Sequence, residues 1–147
     1  MRLVIRTTVQ CAVPKKQLAL LLNKVLQFCS LIKTEAIGEE LSLAFVGEAA
    51  MRRLNETYRQ KAESTDVLSF EYGEVIICVP RAIRQAKRHR LSVSREIGVL
   101  FLHALLHIFG FDHETEKDRL AMQKAEEKIL GSPGLITLQG YTSSVNA

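Results

Sequence analysis

The chain has no apolar run approaching the roughly 18 residues that a membrane-spanning helix needs, so it is expected not to be a membrane protein. Cysteine is sparse as well. Cys11, Cys29 and Cys78 are odd in number, far apart and without a C-x-x-C pair. That fits buried thiols in a reducing cytosol better than a disulfide framework or a zinc knuckle. No low-complexity stretch or internal repeat occurs. The opening MRLVIRTTVQ is too polar and too alternating for a signal peptide, which predicts a cytoplasmic protein. Histidine is scarce too, with only four in the chain, yet three of them fall in one short stretch.

What is present fits one domain. At 147 residues, 47% of them hydrophobic, the chain is long enough to bury a core. Residues 1–147 are read as a single domain whose tail, from about residue 131, is loose. The net charge of +4 leans only mildly toward an acidic partner. Its distribution says more: Arg81, Arg84, Lys87, Arg88, His89 and Arg90 form one basic segment, and Arg52, Arg53, Arg59 and Lys61 another. Such groups can track phosphates, or can simply be solvated helix faces, and charge alone does not choose.

Periodicity gives the outline. Residues 2–8 alternate like a strand, and Pro14 suits a helix start before Leu18, Leu21, Leu22, Val25 and Leu26. The run LSLAFV (41–46) between Gly38 and Gly47 reads as a strand. From Glu48 a helix is predicted with Met51, Leu54 and Tyr58 on one face. DVLSFEY and EVIICV are β-rich and separated only by Gly73, which predicts two strands joined by a tight turn. Pro80 opens a helix to about Arg90, and Ser92 or Ser94 caps the next one. A last amphipathic helix runs from Glu114 to Leu130, with Leu120, Met122, Ala125 and Ile129 on its less polar side, and GSPG stops it. The fold class is α+β: a small mixed sheet packed with helices, the site lying on a central helix and the loop after it.

The histidines spell H-x-x-x-H-x-x-G-x-x-H in HALLHIFGFDH, with His103, His107 and His113 in order. Two residues four apart share one helix face. Gly110 then allows a left-handed exit, so that a third imidazole can return toward the first two. A lone histidine on an apolar helix is more often a satisfied core residue; a pair in so apolar a segment is costly to bury without a partner. Three neutral imidazoles leave a fourth position open on a divalent ion, which is the pattern of a catalytic zinc site. One Zn2+ per chain is expected, with Ni2+ a possible substitute on imidazole ligands.

One residue is conspicuously missing. Zinc peptidases place a glutamate after the first histidine as general base, and here that position is Ala104. A methyl group takes no proton. Asp112 and Glu114 flank His113, where they either orient it and relay protons or cap the following helix.

The segment LNETYRQKAESTDVLSFEYGEVIIC, followed by HALLHIFGFDHETEKDRLAMQKAEEKIL, resembles the YbeY family of bacterial ribosomal RNA maturation endoribonucleases. The first block holds Leu54, Asn55, Tyr58, Arg59, Lys61 and then Thr65, Asp66, Val67, Leu68, Ser69 and Phe70. The resemblance covers roughly residues 41–130. It implies a zinc-dependent, single-strand-specific endoribonuclease acting in small-subunit rRNA 3′-end maturation and ribosome quality control. Its implied partners are single-stranded RNA, rRNA and the small ribosomal subunit. Zinc at His103, His107 and His113 and a functional role for Arg59 are implied likewise; a guanidinium can grip a phosphate in bidentate fashion. Three departures stand out: Ala104 replaces the family's glycine, Gly73-Glu74 replaces Gly-Asp, and the loop after Phe70 is short.

Two rival readings remain open on the residues alone. One is a metzincin-like metalloprotease, favoured by the histidine spacing and opposed by Ala104. The other is a non-catalytic, metal-bound ribosome-assembly factor.

Overall fold

A computed structural model describes residues 1–29, 37–61, 65–112 and 114–131. The elements run β1 (Arg2–Thr7), α1 (Lys15–Phe28), β2 (Glu40–Val46), α2 (Glu48–Arg59), β3 (Val67–Phe70), β4 (Glu74–Cys78), α3 (Val79–His89), α4 (Val93–Ile108) and α5 (Glu116–Leu130). The strands form one sheet in the order β1-β2-β4-β3. β1 and β4 both pair parallel to β2, and β3 returns antiparallel to β4. This is the α+β domain with a mixed sheet that the sequence predicts.

Strand alternation places a core on each side of the sheet. Leu41, Leu43, Phe45, Val67, Val75 and Ile77 join the larger core with α1, α4 and α5. The intervening Val46, Leu68, Phe70, Ile76 and Cys78 face a smaller core closed by Met51 and Leu54 of α2. β3 and β4 are therefore apolar on both faces, which explains their continuous hydrophobic runs.

The hairpin between β3 and β4 turns through Glu71, Tyr72 and Gly73. Gly73 has φ +105°, and its N–H donates to the Phe70 carbonyl at 2.9 Å. A Cβ here would come within 2.7 Å of Ile37 Cγ2, so both the backbone and the space call for glycine.

The central element is α4. It packs on α1, α3, α5, β3 and β4. From Val99 to Leu106 every residue is buried, as expected of a helix that is apolar all round. Ser92, rather than Ser94, caps it, accepting from the Arg95 N–H at 3.2 Å.

Some expectations shift in detail. The last helix starts at Glu116, with Thr115 as its cap accepting from the Asp118 N–H at 3.1 Å. Leu120 points outward at 49% exposure; the inward stripe is Met122, Ala125, Glu126 and Ile129. Cys29 and Cys78 are buried thiols, whereas Cys11 is only half-buried; all three are free. Among the described residues no single helix is long and apolar enough to cross a membrane. The tail beyond Gly131 lies outside the described residues.

Candidate functional site

His103 and His107 occupy successive turns of α4, the most enclosed helix of the fold. His103 is 5% exposed, and its Nδ1 lies 2.9 Å from Glu126 Oε1. Glu126 comes from α5 and is 1% exposed. His107, one turn nearer the helix end, is half-buried.

The way α4 ends follows from Gly110. The Gly110 N–H donates to the His107 carbonyl at 3.1 Å, and the Phe111 N–H to the Leu106 carbonyl at 3.0 Å. This bond pair, with Gly110 at φ +102°, is a Schellman turn. An added Cβ would meet nothing within 4 Å, so glycine is required by the backbone angle and not by crowding. Phe111 then packs on the larger core and against the Phe28 ring, 6.4 Å between centroids. The chain is thereby redirected immediately after His107. His113, expected as the third ligand, lies outside the described residues. Asp112 is half-buried and Glu114 exposed; the helix cap beyond them is Thr115, not either carboxylate.

A second carboxylate stands in the field of His103. Asp66, just before β3, is 3% exposed. Its Oδ1 accepts from the Val67 N–H at 2.8 Å and the Thr65 hydroxyl at 3.4 Å, and its Oδ2 from Gln85 Nε2 at 3.2 Å. Burial pushes the Asp66 carboxyl above its ordinary range, while these hydrogen bonds and the charge of His103 pull the other way.

Ala104, beside the first histidine, is wholly buried. The peptidase base is therefore missing from a position where a carboxylate would be fully desolvated. Arg59 is placed from a different element. It ends α2, the helix whose Met51 and Leu54 close the smaller core, and is half-buried. Next to it, Tyr58 meets Phe70 edge-on at 5.1 Å and Phe70 leans on Tyr72 at 5.4 Å. The structure thus brings His103 and His107 together and adds Glu126 and Asp66 to them.

The basic segment divides. Arg84 pairs with Glu48 of α2. His89 turns inward, its Nδ1 lying 3.0 and 3.1 Å from the two oxygens of buried Glu96. Lys87, Arg88 and Arg90 remain exposed around the C-terminal end of α3, where cations also complement the helix dipole.

Sequence reasoning missed Glu126. A signal was present: it falls in the inward stripe with Met122, Ala125 and Ile129, one acid among apolar positions three and four apart.

Fold and site define a class: a small α+β domain carrying a helical imidazole pair backed by a buried carboxylate. Comparison with known proteins narrows it. The family model described as Endoribonuclease YbeY matches residues 4–134. The chain is 38% identical over 125 residues to an Endoribonuclease YbeY of Finegoldia magna, covering 78% of this chain and 82% of that protein. It is 34% identical over 140 residues to the Endoribonuclease YbeY of a Bacillus cereus strain, covering 82% and 90%. A solution structure from Thermotoga maritima shares the fold, with TM-score 0.57 and 24% identity over 88% of this chain and 89% of that one. The chain belongs to the Endoribonuclease YbeY family, whose members are hydrolytic nucleases.

Proposed function

We propose that the protein is a zinc-dependent, single-strand-specific endoribonuclease that matures the 3′ end of small-subunit rRNA in the cytoplasm and takes part in ribosome quality control. Single-stranded RNA, rRNA and the small ribosomal subunit are its proposed partners. The observation that carries this reading is the histidine pair on α4, ended by the Gly110 turn, in a chain of this family.

The residues present suit zinc. The donor set is imidazole, a borderline ligand that zinc accepts readily. With Nδ1 of His103 directed at a carboxylate, the other ring nitrogen is left as the donor. His103, His107 and His113 are proposed to hold one ion. Bound there, zinc would supply Lewis-acid charge at the scissile phosphate.

The protein's own groups do the rest. Arg59 offers a planar fork for a phosphate oxygen pair and neutralises charge that develops on it. Exposed Lys87, Arg88 and Arg90 hold the polyanion non-specifically. Nothing at position 104 can accept a proton. The nucleophile is therefore either the RNA's 2′-hydroxyl or a water, and in both cases its proton passes to a group other than residue 104.

Mapping small-subunit rRNA 3′ ends in cells depleted of the protein tests the proposed pathway. Extended 3′ ends are expected, corrected by the wild-type gene and not by His107→Ala. Normal 3′ ends on depletion would contradict the rRNA assignment.

A further inference from the structure

We propose that Glu126 is a positioning residue: it holds His103 with the proton on Nδ1, so that Nε2 presents its lone pair to the metal. The inference rests on the reading of His103 as a ligand.

The geometry is direct. Glu126 Oε1 lies 2.9 Å from His103 Nδ1, and both side chains are buried, at 1% and 5% exposure. A carboxylate oxygen accepts hydrogen bonds and does not donate them, so the ring nitrogen facing it carries the proton. Which nitrogen of a neutral imidazole is protonated is set by the hydrogen bond that the other makes. A free imidazole side chain favours the proton on Nε2, the form that would block coordination through that atom. Glu126 reverses this preference.

The placement is hard to explain as packing. Met122, Ala125 and Ile129 make the rest of the inward stripe of α5 apolar, and an acid there is costly unless it has a partner. Asp66 feels the charge of His103, but its oxygens accept from Val67, Thr65 and Gln85. Glu126 is in direct contact with the ring. A carboxylate behind a metal-bound histidine fixes ring orientation and tautomer and raises ligand basicity.

Two measurements test this. In the metal-free wild type, under conditions where the ring is neutral, nitrogen-15 correlation spectra should show His103 protonated at Nδ1 and bare at Nε2. A proton found on Nε2 would overturn the proposal without any variant. In Glu126→Leu, which suits the apolar stripe, the tautomer should move toward Nε2–H. Its zinc Kd, measured by competition with a chromophoric chelator, should rise about 10- to 100-fold. A merely structural tie between α4 and α5 would lower the melting temperature and leave tautomer and Kd unchanged; that result would also overturn it. A wild type with the expected tautomer and no zinc binding would contradict the metal reading and leave the tautomer lock standing.

Discussion

At the scale of single residues, the two helical histidines are not equivalent. His103 is enclosed and tied to Glu126, whereas His107 is half-buried nearer the helix end. Both His103→Ala and His107→Ala should abolish stoichiometric metal binding, as elemental analysis would show. Urea unfolding of the metal-free variants should separate them. His103→Ala leaves the buried Glu126 carboxylate without its ring partner, so it should be the less stable by about 1–3 kcal/mol. Equal stability would mean that the contact contributes little to the fold. Asp66 gives a pH signature. Burial raises its folded-state pKa above that of the unfolded chain, so the native state binds the proton more tightly. Its favourable contribution is present below the unfolded value of about 4 and is lost as pH rises through the folded one. Asp66→Asn, uncharged throughout, should therefore gain stability relative to the metal-free wild type as pH rises from about 4 toward neutrality. A pH-independent difference would refute the assignment.

At the scale of elements, the Gly110 turn and the Ser92 cap bracket the same helix but serve different ends. Ser92→Ala should cost about 1 kcal/mol by loss of the cap and leave zinc affinity unchanged. Gly110→Ala forces a Cβ into a backbone region costly by about 1–2 kcal/mol, and it also disturbs the exit after His107. Its zinc affinity should fall at similar loss of stability, measured by chelator competition beside urea unfolding. Equal affinity in the two variants would mean that the turn does not build the site. These elements were legible because their punctuation is chemical: Gly47, Gly73, Pro80 and Ser92 each mark a boundary found in the structure. The pairing of β4 beside β2, with β3 outside it, was not legible, because strand order depends on contacts between distant segments. Leu120 misled, and Glu126 went unnoticed, for a related reason. Hydrophobicity places leucine inside and glutamate outside, but α5 turns the glutamate toward His103 and leaves the leucine exposed.

At the scale of the whole molecule, the surface charge works through a few groups. On this segment Arg84 is exposed but paired to Glu48 and His89 is held by Glu96, which leaves Lys87, Arg88 and Arg90 as the other exposed cations. Affinity for single-stranded RNA should fall steeply with salt, and the slope of log K against log salt should shrink when these three are neutralised. An unchanged slope would make the segment a solvated face. The central claim, an RNA-directed hydrolase that uses its histidine-held metal, is most directly tested by one assay. Purified protein is incubated with labelled single-stranded RNA, duplex RNA and casein, each with and without chelator. The account predicts cleavage of single-stranded RNA alone, abolished by chelator and restored by zinc. Chelator-sensitive hydrolysis of casein, or RNA cleavage indifferent to chelator, would contradict it.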